Sequence, residues 1–498
     1  MKAVHVAALA ALGMFLTGAS VYSITPAGGF QISADSSEPA PAASEPAALI
    51  DAEGKLGEMT AGTTLRVEGR VGFKTLAKGG TGETHVLLEV GTGAATAGTR
   101  APVNLAIVVD RSGSMKGNRL RNAISGALSA VERLSDGDVV SVVAFDAKPA
   151  VVVSPTTIDP SSRNRIRSDI QGITLGGDTC ISCGIEEGMA LLERTPGRVS
   201  RMIVLSDGEA TAGVRDLPGF RSIAQRASSR GTGITTIGVD VDYNERILST
   251  IALDSNGRHY FVANDSGLEK VFDTEAQSLT TAVASNAEVS VELPPGVELV
   301  RVVDRTFRRS GNRVFFPLGV FTAGDTKSVL LQVKVPADRE GTVPVANVDL
   351  TFRDHTTNTD ARCGGKLDVA VSPAGASEVD GVVEARVNRT ATADVLKEAS
   401  ELFKQGRADE ARRKLAARQQ GLASVAATAT SRSPAAKVKG VKKDLDAQEA
   451  AIQQAQTQFA TPPPVNAALG AAPADPFASR VGKEAVKQNA EAEVNLRR

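Results

Sequence analysis

Residues 103–117 read VNLAIVVDRSGSMKG, and the fold turns on that stretch. Its first seven residues form an apolar run, broken only by Asn104, of the kind expected of a strand covered on both faces. The run stops on Asp110, and a turn of small residues then carries Ser112 and Ser114. Beyond it, Leu120, Ala123, Ile124, Ala127, Leu128, Val131 and Leu134 recur at steps of three and four, the period of a helix with one buried face. The segment is a strand, a polar loop and a helix.

The same alternation continues to residue 285. DVVSVVAF, RMIVLS and GITTIGV read as further buried strands, AVVVS as a short edge and RHYFVA as the last strand, with Leu268 to Leu279 as a closing helix. Strands alternating with helices of this length predict an α/β fold, a doubly wound and mainly parallel sheet with helices on both sides. In such sheets ligands sit beyond the carboxyl ends of the strands, where strand order reverses. RMIVLS ends at Asp207, at the position equivalent to Asp110. Between the two lies LGGDTCISCG, a Gly-rich loop carrying Thr179 just before a helix. Asp110, Ser112, Ser114, Thr179 and Asp207 all offer oxygen and none offers imidazole. That is the donor chemistry of a hard divalent cation such as Mg²⁺.

These residues resemble the von Willebrand factor type A (VWA) family and its metal-ion-dependent adhesion site, whose motif is Asp-x-Ser-x-Ser, a distant Thr and a distant Asp. Asp110, Ser112, Ser114, Thr179 and Asp207 match it in order, and LSDGEAT is similar to the family's flanking text. The resemblance covers 101–285. It implies a Rossmann-like sheet with its first and fourth strands side by side, Mg²⁺ as cofactor and a protein partner whose Asp or Glu carboxylate completes the coordination sphere. Asp178 stands where the family often has glycine; it is expected to point to solvent, and pointed inward it would favour Mn²⁺ or Ca²⁺. The flanking strands are similar to those of exported bacterial VWA proteins of the calcium-activated chloride channel regulator type.

Outside this unit the pattern changes. MKAVHVAALAALGMFLTGASVYSI (1–24) has one lysine and then an apolar run, which predicts an export signal or an N-terminal anchor. Residues 25–60, rich in Ser, Pro, Ala and Glu, predict a disordered linker. Alternating apolar residues in 61–100 predict two antiparallel strands too thin to stand alone. They are expected to complete a β-sandwich formed by 286–375, with the VWA domain inserted between them. Helical periodicity with a break at Gly406 predicts a docked helical hairpin within 376–458, and 459–498 reads as a flexible tail.

Charge and composition narrow the function. The 498 residues carry 56 basic and 57 acidic side chains, so bulk charge draws the chain toward neither nucleic acid nor an anionic membrane. Membrane contact is expected only through the N-terminal segment, if it is uncleaved. No G-x-S-x-G elbow or H-E-x-x-H helix occurs, and His5, His85, His259, His355 and three cysteines lack zinc-ligand spacing. Cys180 and Cys183 form a C-x-x-C at a helix start, with three readings: a small structural disulfide, a buried reduced pair, or a redox centre. Cys363 leaves an odd count. Lys437, Lys439, Lys442 and Lys443 read as a hydrated helix face.

The sequence therefore predicts a non-enzymatic, metal-dependent binding module, exported to the periplasm, cell envelope or exterior. Two alternatives stay open: a thiol–disulfide oxidoreductase using Cys180 and Cys183, and a structural envelope protein whose metal only stabilises the fold.

Overall fold

The computed structural model describes residues 53–93, 101–207, 209–263, 266–460 and 476–498. The predicted leader (1–24), most of the predicted linker and residues 461–475 lie outside the described residues. Five strands come first: β1 (Glu53–Lys55), β2 (Glu58–Ala61), β3 (Leu65–Val71), β4 (Thr75–Ala77) and β5 (Glu83–Thr92). The α/β unit follows with β6 (Val103–Asp110), α1 (Asn118–Arg133), β7 (Val139–Phe145), β8 (Pro149–Thr157), α2 (Pro160–Gln171) and α3 (Ile181–Glu193). It continues through β9 (Val199–Ser206), α4 (Leu217–Ser229), β10 (Gly233–Val239), α5 (Glu245–Asp254), β11 (His259–Val262) and α6 (Ser266–Thr280). Strands then return: β12 (Ala282–Glu292), β13 (Glu298–Val303), β14 (Arg308–Ser310), β15 (Arg313–Thr322), β16 (Thr326–Lys334), β17 (Gly341–Asp354) and β18 (Thr359–Ser372). The last elements are α7 (Gly381–Lys404), α8 (Ala408–Ser431), α9 (Val438–Ala460) and α10 (Arg480–Arg497).

The α/β sheet has the order β11-β10-β9-β6-β7-β8, parallel throughout except for β8 at one edge. Every residue of β6 is buried. Its Leu105, Ile107 and Val109 face the core beneath α1 and α6, while Ala106 and Val108 face the core beneath α3, α4 and α5. A strand covered on both faces needs no polar alternation, which is why the sequence shows none. Helix α3 lies close to the sheet because Gly184 has no side chain; a Cβ there would sit 2.6 Å from Phe145 Cδ1 and 2.9 Å from Val108 Cγ1. The chain leaves β6 toward β7 on one side and later returns with β9 on the other. The carboxyl ends of β6 and β9 therefore flank the reversal of strand order, where such sheets hold ligands.

The two remaining sheets, β1-β2-β3-β5-β16-β13 and β14-β15-β12-β17-β18-β4, enclose one apolar core between them. β5, which precedes the α/β unit, pairs antiparallel with β16, which follows it, and β4 pairs parallel with β18. The α/β unit is thus inserted into the sandwich.

Three expectations need correction. Strands β1 and β2 fall inside the segment predicted as linker; Met59 and Ala61 alternate into the core, and the turn between the strands is made by Gly57 at φ +75°. The helical hairpin is part of a four-helix assembly, in which α9 and α10 share a core with α7 and α8. Residues 480–497, predicted as tail, form α10: Ala485, Val486, Ala490 and Val494 are buried, and small apolar residues carried too weak a periodic signal to reveal it. Among the described residues no helix is long and apolar enough to cross a membrane.

Candidate functional site

Three loops meet at the carboxyl ends of β6 and β9. After β6 the chain makes a single 3-10 turn, Gly113–Met115, before α1. Asp110 is fully buried; its Oδ1 accepts from the Ser112 amide at 2.8 Å and its Oδ2 from the Ser206 hydroxyl at 2.6 Å. The Ser112 and Ser114 hydroxyl oxygens lie 3.0 Å apart, and Ser114 donates to Asp207 Oδ1 at 2.7 Å. Asp110, Ser112, Ser114 and Asp207 thus form one linked cluster of oxygens.

Thr179 reaches the cluster through the backbone of its loop. The Gly113 amide donates to the Gly177 carbonyl at 2.9 Å, and the Gly176 amide to the Arg111 carbonyl at 2.6 Å. On its other side the Thr179 amide donates to Thr211 Oγ1 at 2.9 Å, and the Thr179 carbonyl accepts from the Thr211 and Ala212 amides. The loops after β6 and β9 are therefore stitched to either flank of the Thr179 loop. Asp178 is exposed, whereas Thr179 is buried.

Cys180 and Cys183 are joined by a disulfide at the start of α3. Gly213, at φ +68°, lets the loop after β9 lie directly on it; a Cβ there would meet Cys180 Sγ at 2.4 Å and Ser182 Oγ at 2.5 Å. Cys180 is fully buried. Cys363 is a free thiol in the sandwich core.

Burial disfavours the charged form of both acids. Burial pushes the Asp110 carboxyl up to about 6, against the hydrogen bonds donated by Ser206 and Ser112. Burial raises the Asp207 carboxyl too, opposed by Ser114 and Arg119. Among the described residues, hydroxyl and amide groups donate to Asp110, and no positive side chain touches this buried carboxylate. Among the described residues no group of three His, Cys, Asp or Glu side chains is placed to hold a metal ion. The donor set is two carboxylates plus hydroxyls, and it fits a hard divalent ion that retains several waters. The candidate ligands would be Asp110, Ser112, Ser114, Thr179 and Asp207. An ion held there would supply an electron-poor centre with coordination positions left open.

Four residues near the cluster escaped the sequence reading. Ser206 holds Asp110. Arg119 bridges Asp207 and Asp240, and Arg480 of α10 contacts Asp240 at 2.7 Å. A cleft of about 520 Å³ opens beside Ser114, lined by Lys116, Arg119, Asp240 and Arg480 among others. Ser206 adjoins Asp207 in LSD, so a hydroxyl at a strand end was a usable signal; the others resemble ordinary surface charges.

Comparison with known proteins fits this geometry. The family model for the von Willebrand factor type A domain matches residues 104–274. An uncharacterized Synechocystis protein is 27% identical over 268 residues, covering 51% of this chain and 62% of that protein. Human inter-alpha-trypsin inhibitor heavy chain H4 is 28% identical over 198 residues, covering 37% of this chain and 21% of that one. The match thus spans less than two thirds of either relative. Among solved structures, a von Willebrand factor type A protein from Catenulispora acidiphila superposes with a TM-score of 0.64 at 17% identity, covering 80% of this chain and 91% of that chain, a likeness of fold. The chain carries a von Willebrand factor type A domain, set within a β-sandwich and followed by four helices.

Proposed function

We propose that the protein is a divalent-metal-dependent binding module of the cell envelope or exterior, which captures a protein partner through an Asp or Glu carboxylate. VWA domains typically mediate protein–protein interaction, and they and the inter-alpha-trypsin inhibitor relatives are generally non-enzymatic. The observation that carries the reading is the linked oxygen cluster of Asp110, Ser112, Ser114 and Asp207 at the reversal of strand order. Asp110 and Asp207 together balance a divalent charge, and the neutral hydroxyls leave the ion short of electrons. Ser114 is the exposed member of the cluster and opens on the cleft, so an incoming carboxylate approaches from that side. Mg²⁺ is the expected ion, and Mn²⁺ serves as a probe of the same chemistry.

Titration calorimetry with Mn²⁺ tests the metal half: wild type binds one ion and Asp110→Ala binds none, whereas equal binding by both overturns it. A pull-down from envelope extract tests the partner half. Capture lost both on EDTA treatment and in Asp110→Ala supports a metal-bridged contact; capture indifferent to both refutes it. Against the thiol–disulfide reading, Cys180 is fully buried and Gly213 of the loop after β9 lies directly on its sulfur.

A further inference from the structure

Arg119 stands in the first turn of α1, and its guanidinium turns into the candidate site. Its Nη1 donates to Asp207 Oδ2 at 2.8 Å and to the Ser114 carbonyl at 3.0 Å. Its Nη2 donates to Asp240 Oδ2. The Asp207 side chain is fully enclosed while Arg119 is about a quarter exposed, at 27%. One of the two carboxylate charges that the site would offer a cation is therefore already answered from within the same domain. An arginine stays charged at every relevant pH, so protonation cannot remove this competitor. Asp240 holds the guanidinium in place, and Arg480 of α10 contacts the other oxygen of Asp240 at 2.7 Å.

We infer that Arg119 is a built-in rival of the metal ion for Asp207 and sets the site's metal affinity low. The inference rests on the metal-site reading above. Both physical terms act the same way. A carboxylate already paired with a guanidinium attracts a second cation less, and the guanidinium itself repels an ion bound beside it. The same charge has the opposite effect on a partner. With an ion in place, Arg119 and the adjacent Lys116 add positive potential to the cleft that an acidic side chain must enter. The site therefore holds its ion weakly while its cleft still attracts an acidic side chain.

The contrary role is that Arg119 only orients Asp207 toward the ion, and removing it would then weaken metal binding. The sign of the effect separates the two. Mn²⁺ titration calorimetry on the full chain compares wild type with Arg119→Gln and Arg119→Lys, with thermal melts to establish that each variant is folded. Arg119→Gln binds Mn²⁺ at least about tenfold more tightly than wild type, while Arg119→Lys, which keeps the charge, stays closer to wild type. Adding Asp110→Ala to Arg119→Gln abolishes the gain. If wild type binds Mn²⁺ and Arg119→Gln binds equally or less tightly, the rivalry is refuted and the metal site stands. A gain that survives Asp110→Ala also refutes it, since the ion then sits elsewhere. If neither wild type nor Arg119→Gln binds Mn²⁺, both this inference and the metal site fall.

Discussion

Lys487 of α10 donates to Glu245 Oε2 at 2.5 Å, with both side chains almost wholly buried, and Lys404 of α7 reaches the other oxygen of the same carboxylate. Lys487 also donates to the Tyr243 carbonyl at 2.5 Å and lies over the Tyr243 ring. Two helices of the C-terminal assembly thus fasten to the first residue of α5 in the VWA domain. Burial works to raise the Glu245 carboxyl, but the two ammonium groups prevail and hold it at about 2.

Glu245→Gln would leave two ammonium groups without their shared counter-charge. Removing one member of a buried ion pair costs about 3–5 kcal/mol, so we expect a clearly lowered urea midpoint. Replacing Lys404 and Lys487 by Met in the same chain should recover much of the loss. A Glu245→Gln protein as resistant to urea as wild type would show that this contact does not hold the helices in place.

Acidification should weaken the fold through His259. Its Nδ1 lies 2.9 Å from Thr236 Oγ1, and burial pushes the imidazole down to about 4, against the pull of nearby Glu245. The unfolded chain takes up a proton near 6.5, whereas the folded chain resists until about 4. Stability is therefore intact above 6.5 and falls as the pH drops through that window. At about 1.4 kcal/mol per tenfold change in proton affinity, the full loss is roughly 3 kcal/mol. Glu245 adds a further loss below its ordinary value near 4.5 as the pH falls toward 2. Urea midpoints between pH 7 and 4 should decline less steeply for His259→Gln than for wild type; parallel curves would exclude His259 as the source.

The thiols should separate cleanly. Cys363 is buried and burial pushes its thiol up to about 11, so it should not react with Ellman's reagent until the protein unfolds, when one thiol appears. Non-reducing peptide mapping should return Cys180 joined to Cys183. The loop it closes is short, and chain-entropy arguments give about 2 kcal/mol for a loop of this size. The Cys180→Ser/Cys183→Ser protein should therefore fold with a modestly lower melting temperature. It should also bind Mn²⁺ less tightly, because the disulfide braces the loop that ends in Thr179.

Gly184→Ala tests the packing beneath the site. The new methyl would have to displace Phe145 and Val108 from contacts of 2.6 and 2.9 Å. Overpacking of this kind costs about 1–3 kcal/mol. Because α3 starts at the Thr179 loop, metal affinity should fall with stability. A variant with an unchanged melting temperature would mean that the helix can lift without penalty.

What could be read in the sequence was what is encoded locally. VNLAIVV declares a doubly covered strand by its unbroken apolar run, and Asp110, Ser112 and Ser114 sit on the turn that such a strand must make. Asp207 was legible because RMIVLS repeats the same grammar. The C-terminal helices were harder. In α10 the buried residues are chiefly Ala and Val, interrupted by Lys487, Asn489 and Arg497, whose burial depends on partners far away in sequence. Lys437 read as a hydrated charge, yet it pairs with Glu68 and Glu89 on the sandwich. Arg119 was invisible for the same reason. A first-turn arginine resembles any solvated side chain until Asp207 and Asp240, 88 and 121 residues onward, are brought beside it.

The insertion of the VWA domain has a mechanical consequence. The chain departs from the sandwich after β5 and rejoins it at β12, and both strands are laced into its sheets, β5 against β3 and β16, β12 against β15 and β17. Tension applied by a tethered partner at the loop end of the domain would run down two covalent spans at once, each anchored in its own hydrogen-bonded ladder. The load is shared between the two anchorages, so resistance to pulling comes from connectivity itself.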